Sequence, residues 1–228
     1  MPRIPGLPDI EITYRRSARS RRFSLRLSAL DGRVTLSMPA RAPLAEAQKF
    51  ARAHEDWLRN AIARQPVRQV VAEGAVLPVE GVPLVIAAGP GRGVRRLSDS
   101  LHVGGDAATL APRLQAWLKT LARERLAAAS DRHAAQVGRT VTQISLRDTR
   151  SRWGSCTAQG RLMYSWRLIL APPSVLDYVA AHEVAHLVEM NHSSDYWDVV
   201  SRICPDWQVQ RAWLHAEGQA LHRLRFQD

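Results

Sequence analysis

Apolar residues alternate with polar ones in three short stretches near the start of the chain, as in β-strands with one buried face. The second and third stretches flank Asp31-Gly32, a residue pair typical of a tight hairpin turn. Farther along, apolar residues recur at helical spacing between Pro43 and Pro66. The pattern therefore predicts a β-hairpin with one helix packed on its apolar face. The alternating stretches are 10–14, 23–29 and 34–38.

The rest of the chain divides into a region interrupted by glycines and a region of longer periodic segments. From 67 to 103 the apolar pieces are short and end at glycines, which predicts strands that complete a small sheet. After Gly105 the spacing becomes helical and predicts one long helix over 112–137. Two strands are predicted next, over 141–147 and 161–170, and a loop rich in hydrogen-bond donors separates them.

These elements favour an α+β fold with two domains. We place the boundary at Gly104-Gly105, so that residues 1–104 form a basic, β-rich domain with a hairpin and one helix. Residues 105–228 then form a second domain, which contains the long helix, an antiparallel-type sheet and C-terminal helices. A further helix follows that sheet, and Ser174 can cap it.

The helix that follows Ser174 contains the most specific chemical signal of the chain, His182-Glu183-x-x-His186. Residues four apart on a helix lie on nearly the same face, about 6 Å apart along the axis, so both imidazoles can bind one metal ion. Glu183 flanks the same edge and can act on a metal-activated water without becoming a ligand. The arrangement is typical of a zinc-dependent hydrolase.

A catalytic zinc ion usually has three protein ligands, and His192 is the nearest candidate for the third. A continuous helix would turn His192 away from the other two histidines, so the helix must end first. Asn191 tolerates the left-handed conformation that ends many helices, and Ser193 or Ser194 can cap a following helix. The ligand spacing is that of the long metzincin pattern, but Glu189 stands where that pattern has glycine, which argues against a true metzincin.

The competing interpretation is a pair of surface histidines beside a salt-bridging glutamate. It does not explain why the segment before the motif is so apolar, because a helix that is apolar on most sides is normally buried. Burying a carboxylate and two imidazoles without a partner is unfavourable, and a metal ion supplies that partner. The motif therefore favours a metal site over a surface cluster.

Composition and charge narrow the class of protein. Hydrophobic residues make up 46% of the chain, as in folded globular proteins, and neither a secretory signal nor a membrane span is recognisable. We therefore expect a cytoplasmic protein without membrane association. Cys156 and Cys204 do not form a disulfide framework or a zinc-ligand spacing.

The net charge of +11 raises a second hypothesis, contact with nucleic acid, because Lys and Arg side chains neutralise phosphates. The excess of positive charge is largest in the first domain, where arginines cluster between the first two predicted strands. These arginines are Arg15, Arg16, Arg19, Arg21, Arg22 and Arg26.

Five short motifs together carry a resemblance to a known family. They are Arg152-Trp153-Gly154-Ser155-Cys156, Trp166-Arg167-Leu168-Ile169-Leu170-Ala171-Pro172-Pro173, Asp177-Tyr178-Val179, the segment from His182 to His192, and Cys204-Pro205-Asp206. In these motifs the chain resembles the YgjP-like bacterial metallopeptidases, a family related to the SprT-type zinc proteases. The resemblance covers nearly all of the second domain and, more weakly, the first.

The resemblance implies a zincin-like catalytic domain over 105–228, with one zinc ion per chain on His182, His186 and His192 and with Glu183 as general base. The implied reaction is hydrolysis of peptide bonds, and a sheet edge that pairs with substrate backbone would favour exposed or flexible protein segments. A donor should stabilise the oxyanion that forms during such a reaction. The candidates for this or another substrate contact are Arg152, Tyr164 and Tyr196.

Two alternatives stay open at this point. The protein could process or dock beside proteins bound to nucleic acid, through its arginine-rich first part. It could also be a catalytically silent zinc-binding module, although an intact Glu183 speaks against that. Histidine ligands suit zinc, yet nickel, cobalt and copper bind the same donors.

Overall fold

A computed structural model describes residues 10–28, 32–63 and 69–226 of the chain. The chain divides into two compact units, Met1–Val67 and Arg68–Asp228. Within the described ranges the units contain six α-helices and several small sheets, which confirms the α+β class. None of the helices in these ranges combines the length and the apolar character of a transmembrane segment.

The first unit contains a three-stranded sheet. Its strands are β1 (Ile12–Ser17), β2 (Ser24–Leu27) and β3 (Val34–Pro39), in the order β1-β3-β2. The antiparallel pairing of β2 with β3 confirms the predicted hairpin, although Asp31 of its turn lies outside the described residues. β1 pairs with β3 in parallel, and alternate residues of β3 are buried in the core of this unit.

Two helices, rather than the single predicted one, follow this sheet: α1 (Leu44–Ala53) and α2 (Glu55–Ala63). The break lies at His54, whose backbone leaves the helical region with φ −114°. The His54 ring lies 2.8 Å from the Phe50 carbonyl oxygen through Nδ1, so a side chain bonds this carbonyl at the helix end. The apolar positions keep one period through the break because both helices bury one face.

The second unit begins with five strands, four of which form a sheet in the order β5-β6-β8-β7. β6 and β8 are parallel, and the outer pairs are antiparallel. Glu80 and Gly81 connect β5 to β6 with positive φ angles, as in a tight hairpin. The strands are β4 (Gln69–Val70), β5 (Val76–Val79), β6 (Val82–Gly89), β7 (Val94–Arg96) and β8 (Ser100–Gly104).

The long helix α3 (Ala107–Gln136) starts before the predicted position because Asp106 caps it, accepting a hydrogen bond of 2.9 Å from the Thr109 backbone. The four-stranded sheet is bonded to this helix and to later segments. Glu80 accepts a hydrogen bond of 2.7 Å from Arg96 of β7 and another of 2.7 Å from Arg125 of α3. The division between units therefore precedes this sheet, whereas the predicted boundary at Gly104 follows it.

A second, mixed sheet follows α3. It contains β9 (Gln143–Arg147), β10 (Gly154–Cys156) and β11 (Arg161–Ser165) in the order β10-β11-β9. β10 is antiparallel to β11, but β11 is parallel to β9, so the predicted antiparallel sheet is only half right. β10 itself lies in the segment predicted as a loop.

β11 ends five residues earlier than the sequence pattern predicts. The chain turns at Ser165 into a 3-10 helix, Trp166–Leu170, in which all five residues are buried. Arg167 explains why this is not a half-buried strand, because its guanidinium bonds both carboxylate oxygens of Asp148 and two backbone carbonyls. A charged residue paired in this way can lie inside the core beside apolar neighbours.

The remaining elements are mainly helical. Ser174 does not cap the helix that follows the 3-10 turn, because Pro172 occupies that position and the Ser174 hydroxyl bonds Gln210 at 3.0 Å. The elements are α4 (Pro173–Ala185), α5 (Ser194–Ile203), α6 (Trp207–Glu217), a 3-10 helix Gly218–His222 and β12 (Leu224–Arg225), which pairs with β4 in parallel.

Candidate metal centre

Helix α4 carries the first two histidines and the glutamate of the motif. It is buried on most sides, in line with the apolar segment that precedes the motif. Its regular hydrogen bonding ends at Ala185, earlier than predicted, and Asn191 does not adopt the left-handed conformation. Asn191 instead accepts a hydrogen bond of 3.1 Å from the backbone of Ser193, which caps α5 as predicted.

This early helix end brings His192 back towards the other two histidines. One nitrogen from each of His182, His186 and His192 lies within 4.8 Å of the others. The Nε2 atoms of His182 and His192 are 3.3 Å apart. The structure thus brings together the three residues that the sequence predicts as metal ligands.

The hydrogen bonding of the rings fits a metal ion at this point. His186 Nδ1 lies 2.9 Å from the Glu189 carbonyl oxygen, so Nδ1 carries the proton and Nε2 keeps its lone pair. Two neutral imidazoles that face each other through Nε2 offer two lone pairs or compete for one proton. A cation between them removes that conflict, and three imidazole nitrogens are a donor set that suits zinc.

The surroundings of the His182 ring also fit a metal ion at this point. Burial, followed by the nearby His186 and His192, lowers the pKa of His182 to about 3. Its Nδ1 is buried without a hydrogen-bond partner among the described residues. A ring that stays neutral near pH 7 is available as a ligand.

Glu183 lies on the core side of the same helix end, with only 5% of its surface exposed. Burial raises the pKa of its carboxyl group to about 8, and the positive charge of Arg152 opposes that shift. A buried carboxylate with one cation near it is the type of group that exchanges protons near neutral pH.

Gly154 of β10 makes room for this carboxylate. A Cβ atom at Gly154 would lie 2.6 Å from Glu183 Cγ, which is closer than two carbon atoms approach without displacement. The edge strand therefore passes directly over the glutamate. The sequence pattern predicts a loop here and assigns no role to Gly154, although a glycine between larger residues signals a close backbone approach.

The three predicted substrate contacts differ in their surroundings. The Tyr164 ring is fully buried and its hydroxyl lies 2.9 Å from the Ser130 hydroxyl, so this geometry does not support a substrate contact. Tyr196 is also fully buried, and its hydroxyl donates a 3.0 Å hydrogen bond to the His182 carbonyl. Arg152 alone is exposed, and its charge acts on Glu183.

Aromatic residues surround the histidines, and two of them, Trp197 and Trp207, have no role predicted from the sequence. The Tyr196 ring stacks on His186 with 4.5 Å between ring centroids and so restrains the orientation of that imidazole. Trp197 lies 6.0 Å from His192 and stacks on Trp207 at 4.3 Å. Large rings on this side restrict how far His186 and His192 can rotate.

The arginine-rich part of the first unit has a structural contact of its own. Arg16 donates two hydrogen bonds of 2.8 Å to the carbonyls of Ala40 and Ala42. This contact is with the protein's own backbone. It gives no support to the hypothesis that the arginine-rich part binds nucleic acid.

The fold and the histidine cluster define an α+β protein with a site that suits a metal ion. The chain belongs to the YgjP-like family, because the family model described as "YgjP-like, metallopeptidase domain" matches residues 21–217. The match includes most of the described residues of both units and confirms the resemblance drawn from the motifs. No curated protein and no solved structure matches the chain.

Proposed function

We propose that this protein is a zinc-dependent metallopeptidase with a zincin-like catalytic unit, which hydrolyses peptide bonds in exposed or flexible protein segments. The observation that carries the proposal is the convergence of His182, His186 and His192 beside the buried carboxylate of Glu183. The family match to a metallopeptidase domain supports the same reaction class. The succession of α3, the mixed sheet and α4 is the order of elements that zincin-type peptidases use.

The three histidines would hold one zinc ion per chain through their ring nitrogens. A zinc ion in such a site acts as a Lewis acid, which lowers the pKa of water and polarises a carbonyl group. The Glu189 carbonyl fixes the orientation of His186, and the stacked ring of Tyr196 limits its rotation. These contacts keep the ring nitrogens in place before the zinc ion binds.

Glu183 is the proposed general base. Its carboxylate takes a proton from the attacking water and transfers it to the nitrogen of the leaving amine. Burial keeps the affinity of this carboxylate for protons high, and Gly154 allows the β10 backbone to pass close to it. The reacting carbonyl would then lie at the free edge of β10, beside this carboxylate.

Arg152 is the proposed donor for the oxyanion that forms when water attacks the carbonyl. Its guanidinium is exposed, whereas the hydroxyls of Tyr164 and Tyr196 already have protein partners. A preorganised cation near the developing negative charge lowers the barrier to reaction.

The preference for flexible segments follows from the position of β10. Among the described strands, β10 pairs only with β11, so its other edge is available to an extended peptide. Pairing at a sheet edge reads backbone groups, which folded proteins seldom expose as an extended strand. A substrate bound there would cross the Gly154–Glu183 contact.

The test is Glu183→Gln, with metal content and cleavage of a denatured protein measured in the same preparation. We expect about one zinc ion per chain in both proteins and loss of cleavage in the variant by a factor of at least about 1,000. Cleavage that persists in the variant would refute the mechanism. Zinc in both proteins without cleavage in either would instead identify a silent zinc-binding module.

A further inference from the structure

The outer face of the mixed sheet forms a groove that the proposed mechanism leaves unused. We call it the sheet-face groove; its volume is about 430 Å³. It is lined by alternate residues of β9 and β11, including Ser145, Arg147 and Arg161, together with Arg152 and Ser155. The intervening residues of β9 pack towards the core, which is why one face of this sheet is polar.

The charge of this groove has one sign. Arg147, Arg152 and Arg161 line it, and its lining contains no aspartate or glutamate. In the part of the chain that the structure describes, no carboxylate lies in ion-pair contact with these three side chains. Three exposed guanidinium groups without an ion-pair partner concentrate positive potential and attract an anion, although the charge of Arg152 also acts on the buried Glu183.

The chemistry of the lining favours a polypeptide over a nucleic acid. Proteins that bind single strands of nucleic acid combine positive charge with aromatic side chains on which bases stack. No aromatic residue lines the sheet-face groove, and its uncharged polar residues are mainly serine and threonine. Guanidinium groups bind carboxylates through paired hydrogen bonds, so acidic side chains are the matching partners.

The groove adjoins the proposed catalytic site. Arg152 lines the groove and acts electrostatically on Glu183, and two residues later Gly154 lies against that carboxylate. In an extended peptide, successive side chains point to opposite faces of the sheet. A peptide that pairs with β10 therefore directs every second side chain towards the face of the sheet on which β11 and then β9 lie beyond β10.

We propose that the sheet-face groove selects acidic substrate segments, and that Arg161 and Arg147 bind aspartate or glutamate side chains of the part of the peptide that continues from the β10 edge over this face of the sheet. This proposal rests on the proposed function, because it assigns a sequence preference to the same peptidase. Arg147 and Arg161 are specificity residues in this scheme and do not contact the reacting atoms.

The first experiment compares two peptides that differ only in charge. One carries glutamates on both sides of the cleaved bond, and the other carries glutamine at the same positions. We expect the acidic peptide to have a KM about fivefold to tenfold lower, which corresponds to two partly exposed ion pairs. Equal KM values for the two peptides would overturn the proposal and leave the peptidase assignment intact.

The second experiment tests the arginines directly. Arg147→Gln with Arg161→Gln should abolish the preference for the acidic peptide and leave kcat for the glutamine peptide unchanged. Arg95→Gln is the matched control, because Arg95 is an exposed arginine on β7 and does not line the groove. A preference that survives in the double variant, or that disappears in the control, would contradict the role of the groove.

Binding can be measured without cleavage, which separates this proposal from the proposed function. Fluorescence anisotropy of the labelled acidic peptide with the Glu183→Gln protein should show binding that weakens as salt increases. Single-stranded DNA, double-stranded DNA and inorganic phosphate serve as competitors. Displacement by DNA at lower concentrations than by unlabelled acidic peptide, or full displacement by phosphate at micromolar concentration, would overturn the assignment to acidic polypeptide.

Discussion

Histidines lie near both ends of helix α4, and their surroundings are opposite. Near the start of the helix, His133 of α3 is 2% exposed and its Nε2 lies 3.0 Å from a carboxylate oxygen of Asp177, which Arg132 also contacts. Near the end, His182 faces His192 nitrogen to nitrogen, and no carboxylate of the described residues bonds either ring.

The difference shows how a structural histidine can be told from a candidate ligand. At the start of α4, protein groups supply both the partner and the countercharge, so the site is complete without any other component. At the end, three rings converge without a countercharge from the protein, and a cation is the partner that all three can bind at once. The signal is the missing partner rather than the number of histidines.

Removing one histidine near each end of α4 tests this difference most directly. We expect His182→Ala to lower zinc affinity by at least about 100-fold and to abolish cleavage, because one of three ligands is lost. His133→Ala should keep its zinc and change only the free energy of unfolding. Elemental analysis after dialysis against a weak chelator measures both proteins, and zinc loss in His133→Ala would erase the distinction between the two ends.

The next largest effect is expected at the close contact between Gly154 and Glu183, near the end of α4 that carries the histidine cluster. Gly154→Ala places a methyl group against Glu183, and a displacement of about 1 Å in a catalytic group can reduce kcat about 100-fold. Zinc content should not change, since Gly154 does not touch the histidines. Gly93→Ala is the control, because nothing lies within 4 Å of a Cβ atom there. A variant with full activity would show that Glu183 does not need its present position.

The sequence was sufficient to predict that His182, His186 and His192 converge, because their spacing is local. Helical spacing alone sets His182 and His186 on one side, and the capping hydroxyl of Ser193 sets the start of the next helix. It was insufficient for Gly154, because the approach of β10 to Glu183 is a contact between distant segments. It was misleading at Asn191, because the helix ends without a left-handed residue.

The same contrast explains the errors in the fold. Hairpin β2–β3 and helix α3 follow local periodicity and were predictable from it. The 3-10 turn after β11 depends on Arg167, a charged residue that is buried only because Asp148 pairs with it. Likewise, the four-stranded sheet shares one apolar core with α3, and Glu80 bonds Arg125 of that helix, contacts between distant segments that no local pattern reveals.

The carboxylate end of α4 gives a pH-dependent prediction. Burial alone would raise the pKa of Asp177, but the hydrogen bonds and charges of His133 and Arg132 outweigh it and hold the pKa below its usual value. A carboxyl group with a lowered pKa stabilises the fold at pH values above its unfolded pKa of about 4, and this contribution is lost as the pH falls through the lower, folded pKa.

We therefore expect Asp177→Asn to lower the free energy of unfolding by about 1 kcal/mol at pH 7, a value reduced for solvent screening because the side chain is 33% exposed. The difference between variant and parent should shrink as the pH falls below about 4. Urea unfolding at several pH values measures it, with Asp195→Asn on α5 as a control for an exposed carboxylate. A difference that is constant from pH 7 to pH 3 would exclude this role for Asp177.

The smallest effect is expected from Tyr196, which contacts His182 and His186 but is not one of the three converging histidines. Tyr196→Phe removes the hydrogen bond to the His182 carbonyl but keeps the ring that stacks on His186. Losing one buried hydrogen bond should lower the free energy of unfolding by about 1 kcal/mol. Because the ring still restrains His186, zinc affinity should fall by less than about tenfold, whereas Tyr196→Ala should reduce it further.

Tyr178→Phe is the matched control for this last variant, since no hydrogen bond of the Tyr178 hydroxyl is seen among the described residues, although its ring also lies beside His182. Chelator competition measures the zinc affinity of all three proteins. If Tyr196→Phe weakens zinc binding as much as Tyr196→Ala does, the hydroxyl rather than the stacked ring positions the ligands. The position of the three converging histidines would then depend on a protein hydrogen bond, in the same way that His133 depends on Asp177.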